Sequence, residues 1–177
     1  MIWTSEVMHT TPAEFKTPLE EKVFQTLNDL DIPFDRIDND PAITMEDCEA
    51  IDAALNVKTV KTLFLCNRQQ TQFYLYVTPG DKPFSTKDFG QALEISRVSF
   101  APIEMLQPRL GTVLGATTVF STLVCKPGDF RLVIDKCVAD DPWYGCTDGT
   151  TTCYMRICTK DLLEKILPLT GFTPTFI

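Results

Sequence analysis

Lys61-Thr62-Leu63-Phe64-Leu65-Cys66 and Gln72-Phe73-Tyr74-Leu75-Tyr76-Val77 are two strand-like runs joined by the polar segment Asn67 to Thr71. Two such runs across a short polar connection predict a β-hairpin, and a hairpin requires antiparallel pairing. Upstream, Thr17-Pro18-Leu19-Glu20 combines an N-cap, a first-turn proline and a capping-box glutamate, and Leu19, Val23, Leu27 and Leu30 follow at helical spacing. Pro33 to Ile37 reads as a short strand, and Thr44 to Asp47 as the start of a helix that carries Ile51 and Leu55 on one face. Downstream, Ser85 to Leu93 reads as a helix, Arg97 to Phe100 as a strand and Pro102 to Leu106 as a helical turn, before a loop with two glycines. Phe120 to Cys125 and Phe130 to Ile134 predict a second hairpin across Lys126-Pro127-Gly128-Asp129. A polar segment from Ala139 to Thr151, a strand from Cys153 to Ile157 and a helix capped by Thr159 complete the chain. Helices and strands interleave without a regular βαβ rhythm, so the expected class is α+β, a mixed and mostly antiparallel sheet packed by helices.

A chain of 177 residues with 44% hydrophobic and 23% charged residues supports one globular domain and leaves little room for two. No apolar run approaches the roughly 20 residues that a bilayer-spanning helix requires, so no membrane partner is expected. Met1 to Thr17 has Glu6 ahead of its first lysine, Lys16, and no continuous apolar core, which does not read as a secretory signal. The cytoplasm is the expected compartment. We divide the chain into an extension, residues 1–16, and a domain, residues 17–177.

The net charge of −8 argues against a protein that coats nucleic acid, DNA in particular. That charge is local: Asp29 to Asp52 holds nine acids and one base, Arg36, while Asn56 to Arg109 holds seven bases and four acids. A small phosphate-binding face is compatible with this pattern. The seven cysteines are an odd number with no C-x-x-C pair, and the only histidine is His9. Neither a disulfide framework nor a metal site is expected, and no cofactor. Cys146, in the predicted polar loop, is the thiol to test for reactivity. One histidine outside the predicted core gives no basis for Ser-His or Cys-His catalysis, and no phosphate-binding glycine motif occurs.

Ile32-Pro33-Phe34, Pro41-Ala42-Ile43-Thr44, Val60-Lys61-Thr62-Leu63-Phe64-Leu65, Arg97-Val98-Ser99-Phe100-Ala101, Leu110-Gly111-x-x-x-Gly115-x-x-x-Val119-Phe120, Val133-Ile134-Asp135 and Thr159-Lys160-Asp161-Leu162-Leu163 occur in that order. Together they resemble the YbaK/ProX family, free-standing relatives of the editing domain of bacterial prolyl-tRNA synthetase. The resemblance implies an aminoacyl-tRNA deacylase that hydrolyses the ester of a mischarged tRNA, such as alanine on the proline tRNA, by substrate-assisted attack of water. Its implied partners are the tRNA acceptor end and an aminoacyl-tRNA synthetase. Where a cognate substrate and its competitor differ by a methylene, binding supplies about 1–3 kcal/mol of discrimination, which is why a second hydrolytic sieve exists.

The resemblance also implies roles. Lys61 matches the lysine at the pocket mouth, and Gly115 opens the loop whose amides face the ester; these two are the candidate catalytic positions. Thr44, Thr62, Ser99, Thr117, Tyr144, Asp148 and Thr151 are candidate substrate-binding positions. Several retain a plainer reading: Thr44 as a helix N-cap, Ser99 as sheet filler, Gly115 as a turn glycine, Asp148 as the cap of the Asp148-Gly149 turn. The chain also departs from the family pattern. Thr62 replaces an asparagine, Leu114 and Val119 replace loop prolines, and Tyr144, Gly145 and Asp148 replace a histidine, a proline and an asparagine. These departures keep open a second class, a non-catalytic module that senses aminoacyl-tRNA or amino acid.

Overall fold

Eight strands divide into two sheets in the computed structural model, which describes residues 1–177. The first sheet has three antiparallel strands in the order β1 (Asp35–Asp38), β7 (Cys153–Cys158), β6 (Trp143–Thr147). The second has five: β4 (Val98–Phe100), β2 (Val60–Asn67), β3 (Phe73–Pro79), β5 (Arg131–Ile134) and β8 (Thr175–Phe176). Pairing of β2 with β3 and β4 is antiparallel; β3 with β5 and β5 with β8 pair in parallel. The α+β class and the mostly antiparallel pairing therefore stand, divided over two sheets rather than held in one. A single parallel bridge, Thr59 with Gly145, ties the sheets together. The close approach there needs glycine, because a β-carbon on Gly145 would lie 2.6 Å from Val57 Cγ1.

Helix α1 (Pro18–Asp29) forms as its capping box predicts: the Thr17 hydroxyl accepts from the Glu20 amide at 3.0 Å, and the Glu20 carboxylate accepts from the Lys16 amide at 2.7 Å. Its buried face, Val23, Phe24 and Leu27, joins Phe64, Leu75 and Leu132 in the main core. Helix α2 (Cys48–Leu55) packs Ile51 and Leu55 against Ile37 and Tyr154. Helix α3 (Thr86–Leu93), capped by Ser85, packs Phe89 against Tyr74 and Tyr76 on the other face of the five-stranded sheet. Residues 3–8 run beside β1, where Ser5 donates to the Asp38 carbonyl and Met8 and Arg36 exchange two bonds, all at 2.8 Å. No helix is long and apolar enough to cross a membrane.

Four local expectations are corrected. The second hairpin does not form: Val119–Leu123 is a 3₁₀ helix, and β5 instead pairs in parallel with β3. Thr118 caps that 3₁₀ turn by accepting from the Phe120 amide, and the Ser121 hydroxyl donates to the Leu110 carbonyl at 2.8 Å; Val119 to Thr122 are buried, while Leu123 is half-buried and Val124 exposed. Helix α4 (Leu106–Leu110) precedes that turn; the polar segment from Ala139 to Thr151 holds the end of α5 (Lys136–Asp140) and the whole of β6, four of whose five residues are buried. Helix α2 begins at Cys48 rather than at Thr44. Thr159 is not a cap but the first residue of α6 (Thr159–Asp161), which runs through a π-helical turn at Leu162–Ile166 into α7 (Leu167–Thr170). The π turn lies directly ahead of Pro168, which cannot donate the bond a regular helix would need there.

Candidate active site

The start of β2, the end of β4 and the floor strands β6 and β7 meet around a cavity of about 440 Å³, open to solvent on one side. Val60 to Phe64 form one wall, Phe100 and Ala101 the next, and Leu114, Gly115 and Thr117 a third. Ile43, Thr44 and Met45 form a lip above Cys48, with Cys146, Thr147 and Tyr154 beneath. Thirteen of the 19 lining residues are hydrophobic, and Lys61 is the only charged one; no carboxylate and no histidine lines the cavity. His9 instead pairs with Asp35 at 2.9 Å.

Lys61 is partly exposed and forms no ion pair; its ammonium donates to the Lys82 carbonyl. Lys82 is itself committed to Asp135, at 2.6 Å. Burial pushes the Asp135 carboxyl up, but the hydrogen bond from Lys82 and the Cys137 amide outweigh that and leave it below the usual carboxylate range. Lys61 is therefore the cation left free for a ligand. On the facing loop, the amides of Leu114, Gly115 and Thr117 donate to no acceptor within the protein. Such amides can stabilise an anionic oxygen.

The lip and the loop touch at Gly115, whose φ is +86°. A β-carbon there would come within 2.9 Å of Ile43 Cα, a backbone atom that cannot step aside. Gly115 thus combines a positive φ with a close backbone approach. Gly115→Ala is expected to cost about 1–3 kcal/mol in chemical denaturation and to lower activity further by parting the loop from the lip; equal stability and activity in the variant would contradict this. The lip is fixed locally: the Asp47 carboxylate accepts from the Ile43 and Thr44 amides, both at 3.0 Å, and the Thr44 hydroxyl accepts from the Asp47 amide at 3.3 Å. Those backbone bonds hold Asp47 below the usual carboxylate range. Thr44 closes this turn and does not cap the helix.

Of the positions singled out from sequence, Lys61, Gly115, Thr44, Thr62 and Thr117 come together around the cavity, while Ser99, Tyr144, Asp148 and Thr151 do not line it. Ser99 lies on β4 between Val98 and Phe100, so strand alternation turns it away from the face that carries Phe100. Tyr144 is fully buried in the main core, its hydroxyl without a hydrogen-bond partner, and burial drives that hydroxyl well above its ordinary range. Asp148 caps its own turn: its Oδ1 accepts from the Thr150 amide at 2.9 Å and the Thr150 hydroxyl at 2.7 Å. The Thr151 carbonyl accepts from the Ala42 amide at 2.9 Å, bracing the chain that leads to the lip.

Cys146 is buried in β6, not in an exposed polar loop, and burial raises its thiol well above the ordinary range, so it is a poor nucleophile. Sequence reasoning missed Cys48 and Tyr154, whose sulfur and hydroxyl lie 4.0 Å apart at the base of the cavity. Burial pushes Cys48 up to about 11 and raises Tyr154 as well, so both stay neutral. It also missed the apolar mouth, although Ile43 and Phe100 stand beside residues that were singled out. Glu20, Asp148 and Cys153 place their ligand atoms within 4.8 Å of one another, but away from the cavity and fully buried.

A sequence model of the aminoacyl-tRNA editing domain matches residues 40–165. The prolyl-tRNA editing protein ProX of Acetoanaerobium sticklandii is 30% identical over 160 residues, covering 87% of this chain and 93% of that protein. Two crystal structures share the fold. The hypothetical protein APE2540 superposes with a TM-score of 0.66 at 17% identity, over 86% of this chain and 96% of its own. A proposed trans-editing enzyme for prolyl tRNA synthetase superposes with a TM-score of 0.60 at 16% identity, over 92% and 98%.

Proposed function

The chain belongs to the aminoacyl-tRNA editing family, and from that premise we propose that it is a trans-acting deacylase of mischarged tRNA, acting on a small neutral aminoacyl group such as alanine on the proline tRNA. The observation that carries this reading is one ammonium without an ion pair, Lys61, in an otherwise uncharged cavity lined by three residues whose backbone amides have no acceptor within the protein. Lys61 attracts the phosphate of the acceptor end. The amides of Leu114, Gly115 and Thr117 serve the oxygen that becomes negative when water adds to the ester carbonyl.

No side chain of the cavity is a general base at neutral pH, so water is activated by the substrate itself, through the ribose hydroxyl next to the ester. Water's oxygen bonds to the acyl carbon and the bond from that carbon to the ribose oxygen breaks. The departing ribose oxygen takes up the proton that water gives up, relayed through the neighbouring ribose hydroxyl, leaving free amino acid and uncharged tRNA. An apolar wall with neutral Cys48, Cys146 and Tyr154 excludes charged side chains, since a buried unpaired charge is costly. The same reading sets the reaction in the cytoplasm, with a synthetase as the source of the mischarged substrate.

The test is a deacylation panel with alanyl, cysteinyl, seryl and prolyl esters on several tRNAs. Turnover of at least one of these small neutral esters is the expected result. Binding of the panel with no turnover of any member would move the protein to the sensor class.

A further inference from the structure

Large apolar side chains crowd the mouth of the cavity: Ile43, Met45, Phe100, Ile103 and Leu114 all line it while remaining between 37% and 61% exposed. A contiguous exposed patch of this kind marks a binding surface rather than scattered surface hydrophobes. One member is aromatic. Phe100 ends the edge strand β4, is 59% exposed, and meets the ring of Phe84 edge-on at 5.7 Å. Phe84 is in turn wedged against Tyr76 and Phe89, each at 6.0 Å, so Phe100 is supported from beneath and open above.

Phe100 pairs with Leu65, four residues along β2 from Lys61. Four residues of antiparallel strand span about 14 Å. That is the reach of a nucleotide carrying an acyl group, and more than an amino acid alone needs. The volume agrees: at about 440 Å³ the cavity falls in the range that encloses a ligand of several rings. A cation at one end and a supported aromatic face at the other match a phosphate and a base.

From this we infer that Phe100 is a stacking platform for the terminal base at the 3′ end of the tRNA, so that the cavity recognises a nucleoside ester and not an amino-acid ester alone. The inference rests on the deacylase reading. It explains why an uncharged, wide mouth surrounds the reactive end: base stacking on an aromatic ring needs no hydrogen-bond readout, only an accessible ring face.

The experiment uses a CCA trinucleotide with alanine joined to its 3′ end through a stable amide, and the same molecule with an abasic terminal sugar. The wild-type protein is expected to bind the base-bearing probe roughly five- to a hundredfold more tightly than the abasic one. Phe100→Ala is expected to erase that difference and Phe100→Trp to keep it, with the thermal transition of both variants close to wild type because the ring is exposed. A wild-type protein that does not distinguish the probes, or a Phe100→Ala variant that still does, overturns the inference; so does an equal loss for both probes, which would mark Phe100 as a wall for the acyl group or a contact for a protein partner. Deacylation of full-length tRNA by wild type, measured alongside, separates the two levels: turnover without base discrimination removes only the platform, and discrimination without turnover removes only the deacylase.

Discussion

Lys61→Ala is expected to slow deacylation on the order of a hundredfold while the thermal transition moves by no more than about 2 °C. The small structural effect follows from its surroundings. The ammonium has no carboxylate partner and one hydrogen bond, to the Lys82 carbonyl. Removing it exposes no buried acid and opens no hole in the core, since Lys61 is partly exposed at the start of β2. The catalytic effect follows from the cavity: no other charged side chain lines it, so nothing substitutes for the lost attraction. Lys61→Arg, which keeps the charge but spreads it over a wider planar group, is expected to fall between the two. Rates and melting curves on the same samples decide the matter. A melting point that drops in step with activity would make Lys61 a structural residue, and an unchanged rate would remove it from the mechanism.

The second large effect is on stability and lies outside the cavity. Asp148 is fully buried, its Oδ2 has no donor, and the Glu20 carboxyl group lies against it. Burial first, and then Glu20, hold the Asp148 proton on well above the usual carboxylate range. In the unfolded chain the same group ionises near pH 4. The native state therefore binds more protons than the unfolded one above that pH, and the stability this group allows at low pH is lost as pH rises toward its folded value. Asp148→Asn removes the titration, keeps an oxygen for the Thr150 amide and hydroxyl, and adds an N–H₂ that can donate to Glu20. At pH 8 the variant is expected to be more stable by about 1–3 kcal/mol, the usual cost of a buried polar group left unpaired. That corresponds to about 2–4 °C of melting temperature for each kcal/mol in a chain of this size. At pH 4 the two proteins should nearly coincide. Melting curves that stay parallel from pH 4 to pH 8 would show that the Glu20–Asp148 contact carries no proton linkage.

What could be read from the residues beforehand divides along a physical line. The β2–β3 hairpin was legible because its ladder is unbroken from Val60 opposite Pro79 to Cys66 opposite Phe73, with a polar turn between. Helix α1 was legible because Thr17 and Glu20 cap it through local bonds. Val119–Leu123 and β6 were not. The first, Val119-Phe120-Ser121-Thr122-Leu123, is too short to show a period that separates strand from helix; the second reads as polar because Gly145, Cys146 and Thr147 are small, yet all three are buried. The same division holds for the cavity. Lys61 and Thr62 reached it on a strand whose position was evident, and Gly115 and Thr117 on a loop marked by its glycine. Ser99 missed it by one place in the alternation of β4, and Asp148 spends its hydrogen bonds on its own turn. Cys48 and Tyr154, 106 positions apart, meet only through the packing of α2 on β7, which no local pattern announces.

The ribbon from Trp3 to Met8 has a consequence for how copies of this molecule behave toward one another. An outermost strand offers a row of free amides and carbonyls on which a neighbour's strand can dock and grow. Here the N-terminal segment occupies that row on β1, and on the far side of the same sheet Thr59 takes the place beside Gly145 while the Thr118 hydroxyl donates to the Thr147 carbonyl. Both flanks of the three-stranded sheet are thus sealed from within the chain, which denies a second copy the template for edge-to-edge aggregation.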